Sequence, residues 1–98
     1  MTMDFLSEFR KASELLKSDS ERYANMYPIG HKKIPDLLRK MINQLETDDQ
    51  NYERLYSIAR GLYFITVDYS PFAESPFGKG ILQILAVFIP YLQSELSA

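Results

Sequence analysis

The stretch Gly80-Ile81-Leu82-Gln83-Ile84-Leu85-Ala86-Val87-Phe88-Ile89-Pro90-Tyr91-Leu92 contains one strongly polar side chain, Gln83. A helix with so little polar surface cannot lie half in water as an ordinary amphipathic helix does, so the rest of the chain must cover it. The run, residues 80–92, falls short of the roughly 20 apolar residues needed to span a bilayer, which makes it a buried core helix. Pro90 has no N–H to offer the carbonyl of Ala86, so the helix is expected to kink or stop near Ile89. Leu82, Val87 and Ile89 point away from the Ile81, Ile84, Leu85 and Phe88 side and are left over for another surface.

Working back from this run, Ser75-Pro76 supplies an N-cap followed by proline at the first helical position, where a missing N–H is harmless. Gly78 and Gly80 each weaken a helix by roughly 1 kcal/mol relative to Ala, so the opening turn is expected to be weak or to need close backbone packing. Three further helical patterns precede it. From Met3 to Lys17, Phe5, Leu6, Phe9, Ala12, Leu15 and Leu16 recur at helical spacing. Pro35 opens a second helix in which Ile34, Leu37, Leu38, Met41, Ile42 and Leu45 form the inner stripe. Thr47-Asp48-Asp49-Gln50 reads as a capping box with acids in the first turn of a third helix. Its stripe is Tyr52, Leu55, Tyr56, Ala59, Leu62, Tyr63 and Thr66, with Ile58 and Ile65 on the flank; the three tyrosines are expected in the core with their hydroxyls at the rim. The β-branched Ile65-Thr66-Val67 suggests fraying near Val67.

Four helical patterns with short connections and no period-two segment predict an all-α fold, a single-domain antiparallel four-helix bundle over residues 1–98. Ser18 to Tyr27 stays open: Ser18 and Glu21 could cap a short fifth helix, or the first helix could run on.

Composition narrows the function. The chain has no Cys and one His, His31, which removes disulfides and thiolate chemistry and leaves no residue set for a zinc site. Asp48, Asp49 and Glu53 lack calcium-loop spacing, and Gly78-Lys79-Gly80 lacks the glycine and hydroxyl spacing of a phosphate loop. No cofactor and no metal are expected, and no enzyme, because general acid and base catalysis has no constellation to work with. A net charge of −2 disfavours nucleic acid. The basic group His31, Lys32, Lys33, Arg39 and Lys40, with Asp36 inside it, reads as a solvated face. The start lacks a basic region followed by an apolar one, so neither a signal peptide nor membrane association is expected, and the cytoplasm is the default location.

The charge is uneven. From Thr47 onward there are three cations (Arg54, Arg60, Lys79) and six acids (Asp48, Asp49, Glu53, Asp68, Glu74, Glu95). That half suits a basic partner. Within it, Asp68-Tyr69-Ser70-Pro71-Phe72-Ala73-Glu74-Ser75-Pro76-Phe77 holds two prolines, two acids and three rings. The rings either tuck this connection onto the core or offer themselves to a partner, Tyr69 and Phe72 being those expected to be exposed.

Asp68-Tyr69-Ser70-Pro71, followed by Ser75-Pro76-Phe77-Gly78 and Ile81, resembles the Tyr-Tyr-Pro element and the Ser-Pro-Glu-Gly-Ile helix opening of small all-α immunity proteins of nuclease colicins. The second helix here is basic where that family's is acidic. The resemblance is therefore to the broader class of single-domain, cysteine-free proteins that bind and block a cognate bacterial toxin, including those of contact-dependent inhibition systems. It implies a cytoplasmic, non-catalytic partner of a basic toxin, a nuclease domain in the nearest case. It also implies that Asp68, Tyr69, Phe72 and Glu74 face that toxin; Asp48, Asp49 and Glu53 are the further acidic candidates. A different class of reading is a homo-oligomer or adaptor, with a homodimer through Leu82, Val87 and Ile89 of the last helix.

Overall fold

The computed structural model describes residues 4–18, 33–47, 51–68 and 73–97, and over them the chain forms the expected all-α four-helix bundle: α1 Phe5–Ser18, α2 Lys33–Glu46, α3 Tyr52–Asp68 and α4 Pro76–Ser97. The hydrophobic run 80–92 lies inside α4, which is longer than the run itself. Pro90 does not stop it; the helix continues to Ser97, making 22 residues and about 33 Å at 1.5 Å per residue. By length and composition α4 could cross a membrane. Here Phe77, Ile81, Ile84, Leu85, Phe88 and Leu92 are instead buried in the bundle.

The helices pack in a ring. α1 packs on α2 and α4, and α3 on α2 and α4, so each helix lies beside its neighbours in the chain and α4 closes back onto α1. Cross-helix contacts fix the directions. At the start of α1 the Phe5 ring sits 4.6 Å from Phe88 and 5.3 Å from Tyr91, near the end of α4. Arg10 pairs with Glu46 at 2.8 Å, at the end of α2. Near the start of α3 the Tyr56 hydroxyl accepts a hydrogen bond from Gln93 Nε2 at 3.2 Å. All neighbours therefore run antiparallel. Phe9, 5.3 Å from Phe88, extends the ring cluster into the core, where Ile34, Leu38, Met41, Leu55 and Leu62 complete it. Burying each such side chain contributes about 1.5 to 3 kcal/mol, which makes this shared apolar centre the main force holding the four helices together.

The ends of the helices follow local hydrogen bonding. Asp4 caps α1, its Oδ1 accepting from the Ser7 N–H at 3.2 Å. Ser75 caps α4 as expected, with Oγ accepting from the Gly78 N–H at 3.1 Å. The start of α3 differs from the expected capping box. Asn51 is the cap, its Oδ1 accepting from the Arg54 N–H at 3.1 Å. Thr47 serves the preceding helix, its hydroxyl donating to the Asn43 carbonyl at 3.1 Å and the Gln44 carbonyl at 2.7 Å. Asn caps as well as Asp or Ser, so the sequence held two adequate starts, and the later one is used.

Several side chains depart from expectation. Leu15 of α1 is 47% exposed and Tyr63 of α3 is 41% exposed, so neither belongs to the core. α3 runs through Val67 to Asp68; the Thr66 side chain is buried and its hydroxyl donates to the Leu62 carbonyl at 2.7 Å, tying down the last turns. The connection between α1 and α2, with the question of a fifth helix and with His31 and Lys32, lies outside the described residues.

Candidate functional site

α3 carries more apolar surface than its core stripe requires. Leu55, Ile58, Ala59, Leu62 and Thr66 point inward and are buried. Phe64 and Val67 remain 54% and 40% exposed. Together with Tyr56, Arg60 and Tyr63 they form one wall of an open groove of about 470 Å³. The other wall is α4, through Leu82, Leu85, Ala86, Ile89 and Pro90. Two of the residues expected to form a seam on the last helix, Leu82 and Ile89, are thus half-buried toward α3, and Val87 alone of the three is exposed.

Arg60 lies in the middle of this face. Its guanidinium is 5.3 Å from the Phe64 ring centre and 5.7 Å from that of Tyr56. The reason is helical geometry: Tyr56, Arg60 and Phe64 are four residues apart, so their side chains stack along one side of α3. A cation over two ring faces is held in place without losing its charge. Tyr63 meets Phe64 edge to face at 5.8 Å, which orders the ring that projects farthest. Rings and arginine in an apolar setting are the composition that dominates protein interfaces. Arg60 and Phe64 did not stand out in the sequence as a pair; the signal was the spacing Tyr56-Arg60-Phe64.

The residues singled out from the sequence do not form one surface. Asp68 is the exposed last residue of α3, and Glu74 is exposed just before the Ser75 cap of α4. These two flank the connection between α3 and α4. Glu53 is exposed in the first turn of α3, fifteen residues from Asp68 along the helix, or about 22 Å away. It therefore belongs to the opposite end of the bundle. Tyr69, Phe72, Asp48 and Asp49 lie outside the described residues.

Where it is described, the expected basic face holds one carboxylate, Asp36, among three cations, Lys33, Arg39 and Lys40, and is offset only in part. Asp36 pairs with Arg39 and, at 3.3 Å, with Lys40. Around Tyr91, desolvation by its surroundings first, then a hydrogen bond with Tyr52 and the charges of Tyr52 and Glu95, raise the phenol pKa above its ordinary value of 10.0. That group belongs to the ring cluster joining α1, α3 and α4. Among the described residues no three His, Cys, Asp or Glu side chains group to hold a metal ion. Compared with protein-family models, curated proteins and solved structures, the chain matches none.

Proposed function

We propose that this chain is a non-catalytic binding protein of the toxin-immunity class, which neutralises a cognate bacterial toxin domain by occupying its surface at the end of the bundle where α3 hands over to α4. The observation that carries this reading is the pair of exposed carboxylates, Asp68 and Glu74, on either side of the ring-bearing connection, with α4 firmly started by the Ser75 cap. The same stretch carries the resemblance to immunity proteins, whose last helix also opens on Ser-Pro. Exposed acids would steer a basic toxin toward this end and raise the association rate, while rings would supply the contacts that persist once it has docked. A rigid helical scaffold suits inhibition by occlusion, because little ordering free energy is lost on binding.

Co-expression with the product of the adjacent reading frame tests the proposal directly. The expected result is a stable heteromeric complex and restored growth. Glu74→Lys should slow association and weaken the complex roughly tenfold, with a reduced dependence on salt. If neighbouring products neither form a complex with the chain nor lose toxicity in its presence, the proposal fails.

A further inference from the structure

We propose that the outer face of α3 joins two copies of this chain about a two-fold axis, with the two α3 helices antiparallel and centred on Phe64. Ser57, Arg60, Phe64, Val67 and Asp68 recur at three-to-four spacing on the side of α3 turned away from its buried residues, and all five are exposed. Three separate features of this face are unexplained by the described residues of one chain and are accounted for together by a second copy.

The first is Gly61. Glycine weakens a helix interior relative to alanine. Its φ is not positive, and a Cβ built on it would meet nothing within 4 Å, so neither backbone conformation nor packing among the described residues calls for glycine. A second helix approaching closely does.

The second feature is Asp68. It is the last residue of α3, where the helix dipole disfavours negative charge, and the last turn contains no basic residue. It makes no ion pair among the described residues, and neither does Arg60, whose described partners are rings. A cation brought to Asp68 from a second copy would correct an arrangement that the described residues leave unfavourable.

The third feature is symmetry. Arg60 and Asp68 are equally spaced on either side of Phe64, four residues each way. When an antiparallel pair is centred on Phe64, Arg60 of each copy stands level with the second copy's Asp68 and within reach of it, and Gly61 lies along the flank of the seam that Asp68 shares. The two Phe64 rings meet at the axis. Self-complementarity of this kind is what a two-fold interface requires, and an unrelated partner would have no need of it. Sliding one helix about two turns along the other would set Glu53 against the second copy's Asp68, so like charges disfavour that register. Helices packed at about 20° with a small residue at the contact keep such a register over several turns.

The surface runs along α3, whereas the toxin-binding end is reached through Glu74 and the connection, so this inference does not rest on that reading. Asp68 is the one residue common to both. Sedimentation equilibrium of the full chain over about 1 to 100 µM reads the association directly. Dimer is expected, with Phe64→Glu monomeric yet unchanged in helical content, since Phe64 is 54% exposed and outside the core. R60E and D68R each disrupt two symmetric pairs and should weaken the dimer roughly tenfold or more. R60E combined with D68R restores opposite charges and should bring association back to within about threefold of the parent. A strictly monomeric parent chain, a dimer that survives Phe64→Glu, or a double variant no better than the singles would each overturn the proposal. Glu74→Lys should leave the dimer unaltered, which separates this surface from the toxin-binding one.

Discussion

Pro90 is an interior proline of α4, and the helix nevertheless runs past it to Ser97, so a Pro90→Ala substitution restores one N–H to the hydrogen-bond ladder and removes the ring that crowds the carbonyl of Ala86. The intrinsic difference between proline and alanine inside a helix is about 3 kcal/mol in favour of alanine. Two effects offset part of it. The Pro90 ring, though exposed, contributes to the groove beside α3, and losing part of that contact should cost less than about 1 kcal/mol. Neighbouring helices also hold α4 in its present course, so the backbone cannot relax fully to an ideal helix once the ring is gone. A net gain of about 1 to 2 kcal/mol remains. For a domain of this size each kcal/mol moves the melting temperature by about 4 to 8 °C. Urea unfolding followed by far-UV circular dichroism gives the free energy, and an unchanged slope would show that the change lies in stability rather than in the unfolded state. If the midpoint falls or stays where it was, Pro90 is needed to shape α4 against its neighbours, and the intrinsic-propensity argument is wrong for this helix.

Two further predictions concern the ends of α4. Ser75→Ala removes the side-chain acceptor of the Gly78 N–H and should lower stability by about 1 kcal/mol, with Ser75→Asp recovering most of the loss; equal stability of Ser75→Ala and the parent in urea would refute the cap. Tyr91 has a raised pKa when folded, so the folded state holds its proton more tightly than the unfolded chain does. Its contribution is complete below about pH 10 and is lost as pH rises through the raised value. Melting temperatures measured between about pH 8 and 11.5 should therefore fall less steeply in Tyr91→Phe than in the parent, and identical slopes would refute the assignment.

The bundle was legible because its strongest signals are periodic. Ile34, Leu38 and Met41 on α2 and Ile81, Ile84, Leu85 and Phe88 on α4 repeat at helical spacing and are buried where that spacing puts them. The start of α3 is not decided by its own sequence, because Thr47 and Asn51 are both competent caps and the choice depends on where α2 ends. Thr47 is occupied in closing α2, which a reading of α3 alone does not reveal. Tyr63 fits the expected inner stripe by spacing, yet Leu55, Ile58, Leu62 and Thr66 already fill the inward arc of α3. The candidate site was legible only in part. Asp68 and Glu74 flank one connection as their positions suggest, but Glu53 sits at the far end of the same helix, a separation that sequence distance across a helix fixes and charge counting ignores.

The location of surplus apolar surface decides which helix is available to a partner. From sequence, α4 has the larger surplus, because almost every residue of its central run is hydrophobic. In the bundle part of that surplus is absorbed: α4 meets both α1 and α3, so Leu82 and Ile89, off the main core side, are half-buried against α3, while Val87, Tyr91 and Leu96 stay exposed at scattered positions. α3 has its own two neighbours, α2 and α4, and its remaining side turns to solvent carrying Phe64 and Val67. A helix between two neighbours has a third face with no covering to account for, and solvent-facing positions are ordinarily polar. When that face carries a projecting phenylalanine, an arginine held by rings, an aspartate at the wrong end of the helix dipole and a glycine that no described neighbour requires, the departures share one side and one spacing. Their shared arrangement, rather than the hydrophobicity of any one of them, distinguishes a contact surface from scattered exposed apolar residues, which are common on soluble proteins and need no explanation.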